Sequence, residues 1–524
     1  MIKSESPFLP EIFALHGKWR AHRPALIADG QSWNWGDFNA NLNRVANGLL
    51  DMKLAKGTRV ILLMGNGVAM VECLFGIMKA GLVSAPLNTS VSDEAILNMI
   101  IDSGAQAIIA SADQAQRIDV MAASLPATCY ENRICAQGLR DAPRDGWRHY
   151  ESWRDAQDAD EPDIKIDNDD MLNIIYSSGT TGQPKGIVHT HQGRRDWAYD
   201  LSIALRYHGA SRFMATIGLY SNISWVGMLC SLMAGGTLIL NGKFDAQKLW
   251  PELERLQVTH LAMVPVMYQH LIDVPEHANY DVSSMIGMMS AGSPLHEHTR
   301  TAMFARFPCG ITELYGLTEG VITTLDPEDS LGRMSSVGLP LIGTDLKILD
   351  ENDQDCPNGK AGEIVSRGRI VMPRYLNRDE ATRESIYEDG LGRQWLRTGD
   401  IGYLDAQGYL YIVDRKKDMV LSGGQNIYPQ DIEAVLITHP DIEDVAVIGV
   451  KSKKWGETPM GVVVMKNSSG SGVSAQTLRE WCNARLGKQQ RLSGLEITDV
   501  IPRNANGKIL KHQLRDIYKD VVYD

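Results

Sequence analysis

Across the first two-thirds of the chain, short β-branched runs alternate with amphipathic helical stretches. That alternation confines the fold to layered α/β architectures with mainly parallel strands. Arg59–Leu63 (RVILL) reads as a strand, and Val68–Lys79 reads as the helix after it, ending at Gly81. Further strands are expected at Ala107–Ala110, Leu172–Tyr176, Thr237–Leu240 and Leu261–Val264. Between Ser336 and Asp414 the texture changes to short strands punctuated by Gly, Pro and Asp: Asp345–Leu349, Glu363–Ser366 and Tyr409–Val413. This predicts a β-rich subdomain. A basic stretch, Arg415–Lys417, then precedes a tail of roughly 100 residues, an ordinary size for a small α+β domain. The expected organisation is a large N-terminal domain over residues 1–416, built of layered α/β subdomains plus the β-rich one. A small, mobile α+β domain follows over residues 417–524. Asn467–Gly472 (NSSGSG) reads as a surface hairpin or loop.

Charge and cysteine usage narrow the partners. With 524 residues, 44% hydrophobic and 22% charged, the composition is that of an ordinary globular protein. A net charge of −12 argues against broad nucleic-acid or anionic-membrane binding. It leaves room for small anionic substrates, because a local cluster of Lys and Arg can reverse the field within one cleft. Cys73, Cys129, Cys135, Cys230, Cys309, Cys356 and Cys482 are scattered, with no C-x-x-C pair and no zinc-like Cys/His spacing. They read as reduced thiols of a cytoplasmic protein, each best placed as a buried small hydrophobe. The N-terminal stretch MIKSESPFLPEIF lacks the apolar run of a signal peptide. The most apolar long stretch, Gly67–Leu87, is interrupted by Glu72 and Lys79, which suits a core-packed helix rather than a membrane span.

The segment Tyr176-Ser-Ser-Gly-Thr-Thr-Gly-Gln-Pro-Lys-Gly186 carries the strongest chemical signal. Backbone N–H groups and hydroxyls from Ser177, Ser178, Gly179, Thr180, Thr181 and Gly182 can donate to phosphate oxygens, while Lys185 supplies charge. It is not a Walker loop, since Pro184 precedes the lysine and Gly186 follows it. A short Gly-rich stretch alone is usually a surface turn; eleven specified positions exceed that reading.

This loop resembles the phosphate-binding signature of the adenylate-forming superfamily, which includes acyl- and aryl-CoA synthetases, peptide-synthetase adenylation domains and beetle luciferase. The resemblance runs through nearly the whole chain in the expected order. Tyr315-Gly-Leu-Thr-Glu319 is similar to the family's second signature, which implies that Tyr315 stacks on adenine, Thr318 contacts phosphate and Glu319 holds Mg²⁺. Ser290–Leu295 (SAGSPL) resembles the segment lining the adenine and acyl pockets, with Gly292 allowing close approach. Trp395–Asp400 (WLRTGD) is similar to the ribose-binding motif, with Asp400 accepting both hydroxyls. Asp414–Asp418 (DRKKD) resembles the interdomain hinge, which implies that Arg415 reaches ribose or phosphate, Lys417 is the pivot, and Lys416 is a plain linker charge. In Ser422–Pro429 (SGGQNIYP), Gly423 and Gly424 would line a pantetheine tunnel, with Glu433 one turn into the next helix. Pro502–Lys508 (PRNANGK) resembles the final motif, whose Lys508 would bridge the substrate carboxylate and the α-phosphate.

One departure stands out. Relatives commonly carry a His near the acyl pocket where this chain has Gly218–Trp225 (GLYSNISW), with Ser221, or Tyr220 in a shifted register, in its place. Trp225, Val226, Met263, Val264, Met289 and Val321 join Tyr220, Ser221 and Gly292 as candidate pocket residues; each of those six also reads as ordinary core. His189 and His191 read as ordinary polar residues, because the pair lacks a third metal ligand.

The resemblance implies an ATP- and Mg²⁺-dependent carboxylic acid:CoA ligase working in two half-reactions. Acyl-adenylate and pyrophosphate form first; CoA thiol then displaces AMP after the small domain turns about Lys417. The apolar candidate pocket suits a medium-chain, branched or aromatic acid. The nearest alternative loads a carrier-protein phosphopantetheine instead of CoA. A luciferase-like monooxygenase finds no positive feature, and a non-catalytic nucleotide-binding regulator would not need Lys508. Expected partners are the acid, ATP and CoA, with no nucleic acid and no membrane span; a homodimer is left open.

Overall fold

The computed structural model describes residues 6–136, 144–177, 184–422, 425–466, 473–488, 490–503 and 508–523. Packing divides the chain into two compact units. The first comprises Met1–Met334, Pro340–Asp345 and Arg367–Ile386; the second comprises Ser335–Leu339, Leu346–Ser366 and Tyr387–Asp524. The β-rich segment lies mostly in the second unit.

The first unit is built on two sheets. One has the strand order Arg148–His149, Arg133–Ala136, Ala107–Ser111, Arg59–Leu63, Val83–Pro86, Met171–Ser177, Lys185–Thr190. All its pairs are parallel except the last, an antiparallel hairpin. In the other, Thr312–Gly316, Gly287–Ala291, His260–Met263, Arg212–Ala215, Thr237–Leu240 and Pro24–Ala28 follow one another in parallel. Antiparallel strands Ile322–Leu325 and Gln31–Asn34 flank that run. Helices cover both faces of the parallel strands, so Arg59–Leu63 and Ala107–Ser111 are aliphatic runs without polar alternation. The expected strand Leu261–Val264 lies one residue earlier, because Pro265 starts a helix and Val264 becomes its N-cap.

The largest core draws on both sheets and contains Phe13, Trp35, Phe38, Phe75, Trp197, Phe213 and Trp225. Helix Val68–Lys79 runs through it, and each of its charges meets partners there. Lys79 Nζ lies 2.6 Å from Glu161 Oε2 and also donates to Asn39 and Asn43. Glu72 accepts from Tyr150 Oη at 2.8 Å and from Arg154 at 2.7 Å. Paired charges of this kind belong to a protein interior, since lipid would offer them nothing. Among the described residues no helix is long and apolar enough to cross a membrane.

The second unit combines a small antiparallel sheet with an α+β tail. Gln394–Leu404 pairs with Gly362–Gly368 on one side and with Leu410–Arg415 on the other. In the tail the long hairpin Ile442–Ser452/Gly456–Met465 carries helices Pro429–Leu436, Ala475–Asn483 and Lys511–Ile517. Two apolar clusters back it, one around Ile432, Val447 and Leu478, the other around Ile448, Met460 and Leu514.

Candidate active site

In the first unit two hairpin turns are tied to one short segment. Ser177 pairs with Lys185 at the base of the first hairpin, so the Gly-rich segment is the one that joins these two strands in sequence. Ser178, Gly179, Thr180, Thr181 and Gly182 lie outside the described residues. Tyr176 anchors the base: its hydroxyl donates to Asp102 Oδ2 at 3.0 Å, with the Met99 carbonyl at 3.2 Å. Burial and the Asp102 carboxylate push this phenol up. On the return strand Gly186 O accepts from Leu376 N, and Ile187 bridges to Tyr375. That pairing sets Lys185 Nζ 5.0 Å from the Tyr375 ring centroid.

Tyr315-Gly-Leu-Thr-Glu319 forms the second turn. Tyr315 pairs with Thr323 one residue before its strand ends at Gly316, and Leu317 N donates to Val321 O to close the loop. Gly320 has φ +115°, and a Cβ there would collide with the Ile370 carbonyl, so only glycine lets the segment after Arg369 approach. Met372 N donates to Glu319 O at 2.8 Å, and Tyr375 Oη donates to Glu319 Oε1 at 2.9 Å. Burial, then the Glu319 carboxylate, hold the Tyr375 phenol far above its usual range, so it stays a donor. Among the described residues only Oε1 of Glu319 carries a side-chain hydrogen bond, and Oε2 offers an oxygen ligand. Among the described residues no cluster of three or more metal-ligating side chains exists. A single carboxylate fits Mg²⁺, which keeps its waters and takes further oxygens from phosphate. Tyr375 was not legible as a site residue, since PRYL carries no motif; only strand pairing brings it to both loops.

The candidate acyl residues separate into two groups. Trp225, Val226 and Met289 belong to the main core, and Met263 to the core behind the second sheet. Trp225 Nε1 donates to Leu219 O at 2.8 Å. By contrast Ile223 and Val264 both lie against Gly292: it has φ +95°, and a Cβ there would stand 3.3 Å from Ile223 and 3.5 Å from Val264. Ile223 is the residue that motif reading missed. Ser221 is the N-cap of helix Asn222–Met233 but makes no capping bond. Its buried Oγ, and Oδ1 of Asn222, have no hydrogen-bond partner among the described residues. Tyr220 packs against Gly218.

His189 and His191 diverge. His191 is buried beside Phe8, with neither ring nitrogen hydrogen-bonded among the described residues. His189 Nε2 instead lies 2.9 Å from the Thr318 carbonyl.

In the second unit Asp400, Arg415 and Lys508 act on one another. Asp400 is buried in its strand opposite Arg415, whose Nε lies 3.3 Å from Asp400 Oδ1. Desolvation pushes the Lys508 amine down to about 7; Arg415 and Lys417 add repulsion, while Asp400 and Asp418 oppose it. Asp414 Oδ2 accepts from Gln430 N, joining the strand Leu410–Arg415 to helix Pro429–Leu436, and burial pushes this carboxyl up to about 6. Lys416 pairs with Glu363, in keeping with a plain structural charge, and Lys417 is exposed beside it. Glu433 accepts from Val447 N and pairs with Lys511. Gly423 and Gly424 lie outside the described residues.

The lowered Lys508 has a measurable consequence. Neutral amine is the nucleophile, so labelling of Lys508 by trinitrobenzenesulfonate is expected to rise with pH through a midpoint near 7. Ordinary lysines titrate near ~10.4. Peptide mass spectrometry across pH 6–9 (about the range bracketing that midpoint) reads the profile, and labelling that climbs only with the bulk lysines contradicts it.

Comparison with known proteins places the chain among relatives. A family model described as AMP-binding enzyme matches residues 14–376, and one described as AMP-binding enzyme C-terminal domain matches residues 431–508. The long-chain-fatty-acid–CoA ligase FadD13 of Mycobacterium tuberculosis (strain H37Rv) is 35% identical over 495 residues, covering 93% of each chain. A feruloyl-CoA synthase from Amycolatopsis sp. is 32% identical over 499 residues, covering 94% of this chain and 96% of that one. The crystal structure of ATP-bound MatB from Rhodopseudomonas palustris superposes with a TM-score of 0.87 at 26% identity, covering 98% of this chain and 99% of that one.

Proposed function

The chain belongs to the AMP-binding enzyme family, and on that premise we propose that it is a carboxylic acid:CoA ligase that proceeds through an acyl-adenylate. The observation that carries the reading is the convergence of Asp400, Arg415 and Lys508 in one electrostatic cluster, from three motifs far apart in the chain. Asp400 accepts ribose hydroxyls, and Arg415 beside it orients that carboxylate and reaches toward phosphate. An amine poised to gain a proton beside anions suits Lys508 to bridge the acid's carboxylate and the α-phosphate. Charge that develops between them is then met by a group already in place. Mg²⁺ held by Glu319 would offset the repulsion between attacking carboxylate and phosphate. Lys185, at the mouth of the Gly-rich loop, attracts the departing pyrophosphate. The Tyr375 hydroxyl fixes the rotamer of Glu319.

We place the thioester step on the same site, with Gly423–Gly424 admitting the pantetheine arm and Lys417 as the pivot that exchanges the two steps. The acid is proposed to be medium-chain, branched or aromatic, because Ile223, Val264 and Gly292 present an apolar wall. Similar proteins are named for a long-chain fatty acid and for ferulate, both acids with apolar bodies, which supports an apolar acid here.

The test is a panel of such acids with ATP and Mg²⁺. Pyrophosphate is expected with the right acid, and thioester only once CoA is added. Pyrophosphate without thioester would favour a carrier-protein phosphopantetheine as acceptor, and no pyrophosphate with any acid would remove the ligase reading.

A further inference from the structure

We infer that His189 and Arg194 form a buried relay that positions the Thr318–Glu319 turn for Mg·ATP, a role that rests on the ATP reading above and adds two residues to it. Thr190 caps helix His191–Ala204 by accepting from Gly193 N at 3.0 Å. The cap turns the chain sharply, so His189 at the strand's end meets Arg194 in the helix's first turn. Arg194 Nη2 lies 3.2 Å from His189 Nδ1, and His189 Nε2 lies 2.9 Å from Thr318 O.

The chemistry of these groups leaves one arrangement. A guanidinium only donates, so His189 Nδ1 must accept; the ring proton is therefore on Nε2 and is donated to the Thr318 carbonyl. Among the described residues Arg194 has no carboxylate partner. Asn173 Oδ1 accepts from its Nε at 3.0 Å, and the Trp197 and Trp225 rings lie 4.8 and 4.9 Å from the guanidinium carbon. Arg194 is 1% exposed and His189 is 6% exposed. A buried cation with no counter-anion among the described residues is costly, which calls for a task, and its directional bond to a titratable side chain sets the His189 tautomer. The task ends at the carbonyl that precedes Glu319. From the other side, Met372 N holds the Glu319 carbonyl. The turn is thereby clamped on consecutive peptide groups, which leaves the Glu319 carboxylate one backbone course from which to meet a metal. His189 and Arg194 are positioning residues; neither is proposed to touch substrate.

Three replacements of His189 separate positioning from packing. His189→Gln can still accept from Arg194 and donate to Thr318 O. His189→Leu can do neither. His189→Glu pairs with Arg194 and so preserves folding, yet its ionised carboxylate cannot donate. Binding of the non-hydrolysable analogue α,β-methylene-ATP is measured by calorimetry with Mg²⁺ and again with EDTA, beside thermal melting. With Mg²⁺, the Gln variant is expected within about twofold of wild type, and the Leu and Glu variants to bind about tenfold more weakly, the scale of one buried hydrogen bond. In EDTA all four should bind alike, and the Glu variant should melt no lower than wild type. Wild-type affinity in the Leu variant, a Gln variant as weak as Leu, or losses equal with and without Mg²⁺ would each overturn the relay. Wild-type protein that binds no analogue in either condition would overturn the ATP reading itself and the relay with it.

Discussion

Lys508→Ala is expected to cut acid-dependent pyrophosphate release by ~10²–10³ or more, while thioester formation from synthetic acyl-adenylate and CoA stays largely intact. The asymmetry follows from where charge develops. In adenylation, a carboxylate oxygen attacks an α-phosphate that already carries negative charge, and a bridging ammonium offsets that repulsion as the bond forms. In the second step the attacking thiol and the leaving AMP need no group shared between acid and phosphate. The lowered proton affinity of Lys508 fits this division. Burial first, and then its cationic neighbours Arg415 and Lys417, make the proton costly, and bound ATP should draw the midpoint of its labelling profile upward by bringing phosphate oxygens beside it. Lys508→Arg distinguishes charge from shape: a planar fork retains the charge but cannot present a compact ammonium between two oxyanions. Its adenylation rate should resemble that of the Ala variant more than that of wild type. Equal losses in both steps for Lys508→Ala would count against the division of labour.

How much of this was legible beforehand depends on how local the determinants are. Helix Val68–Lys79 and strands Arg59–Leu63 and Thr237–Leu240 lie where residue patterning places them, because burial on a helix or strand is written in neighbouring positions. The end of His260–Met263 moved by one residue because Pro265 imposed a helix start. The motifs singled out Glu319, Asp400 and Lys508 as candidates, but not what holds them. Tyr375 reaches Glu319 only through pairing of its segment with the strand Lys185–Thr190, a contact between positions far apart in the chain. His189 read as an ordinary polar residue, because the His189/His191 pair lacks a third metal ligand, whereas an arginine on the next helix sets its tautomer. Trp225 read equally as pocket or core; it packs within the core, while Ile223 faces Gly292. Local patterning specifies elements, whereas side-chain partners across sheets follow from topology.

Glu319→Gln is expected to lower adenylation by ~10²–10³ and to raise the Mg²⁺ concentration giving half-maximal rate. The substitution keeps the side chain's size and its bond to Tyr375, because an amide oxygen can still accept from that hydroxyl. What it removes is the formal charge, so a loss here reports on the cation and not on packing. Tyr375→Phe supplies the complementary test: it leaves the carboxylate charged but releases the 2.9 Å hydrogen bond that selects its rotamer. A carboxylate free to rotate still binds the metal, with part of its affinity spent on ordering. The Phe variant should therefore lose about tenfold at limiting Mg²⁺, the scale of a hydrogen bond to a charged group, and recover when Mg²⁺ is saturating. The Gln variant should recover little. If excess Mg²⁺ restores Glu319→Gln as fully as Tyr375→Phe, then Glu319 does no more than shape the turn, and the metal is held by phosphate alone. If neither variant changes its Mg²⁺ dependence, the cation does not meet this loop, and the clamp formed by His189, Met372 and Tyr375 serves the adenine side of Tyr315 instead.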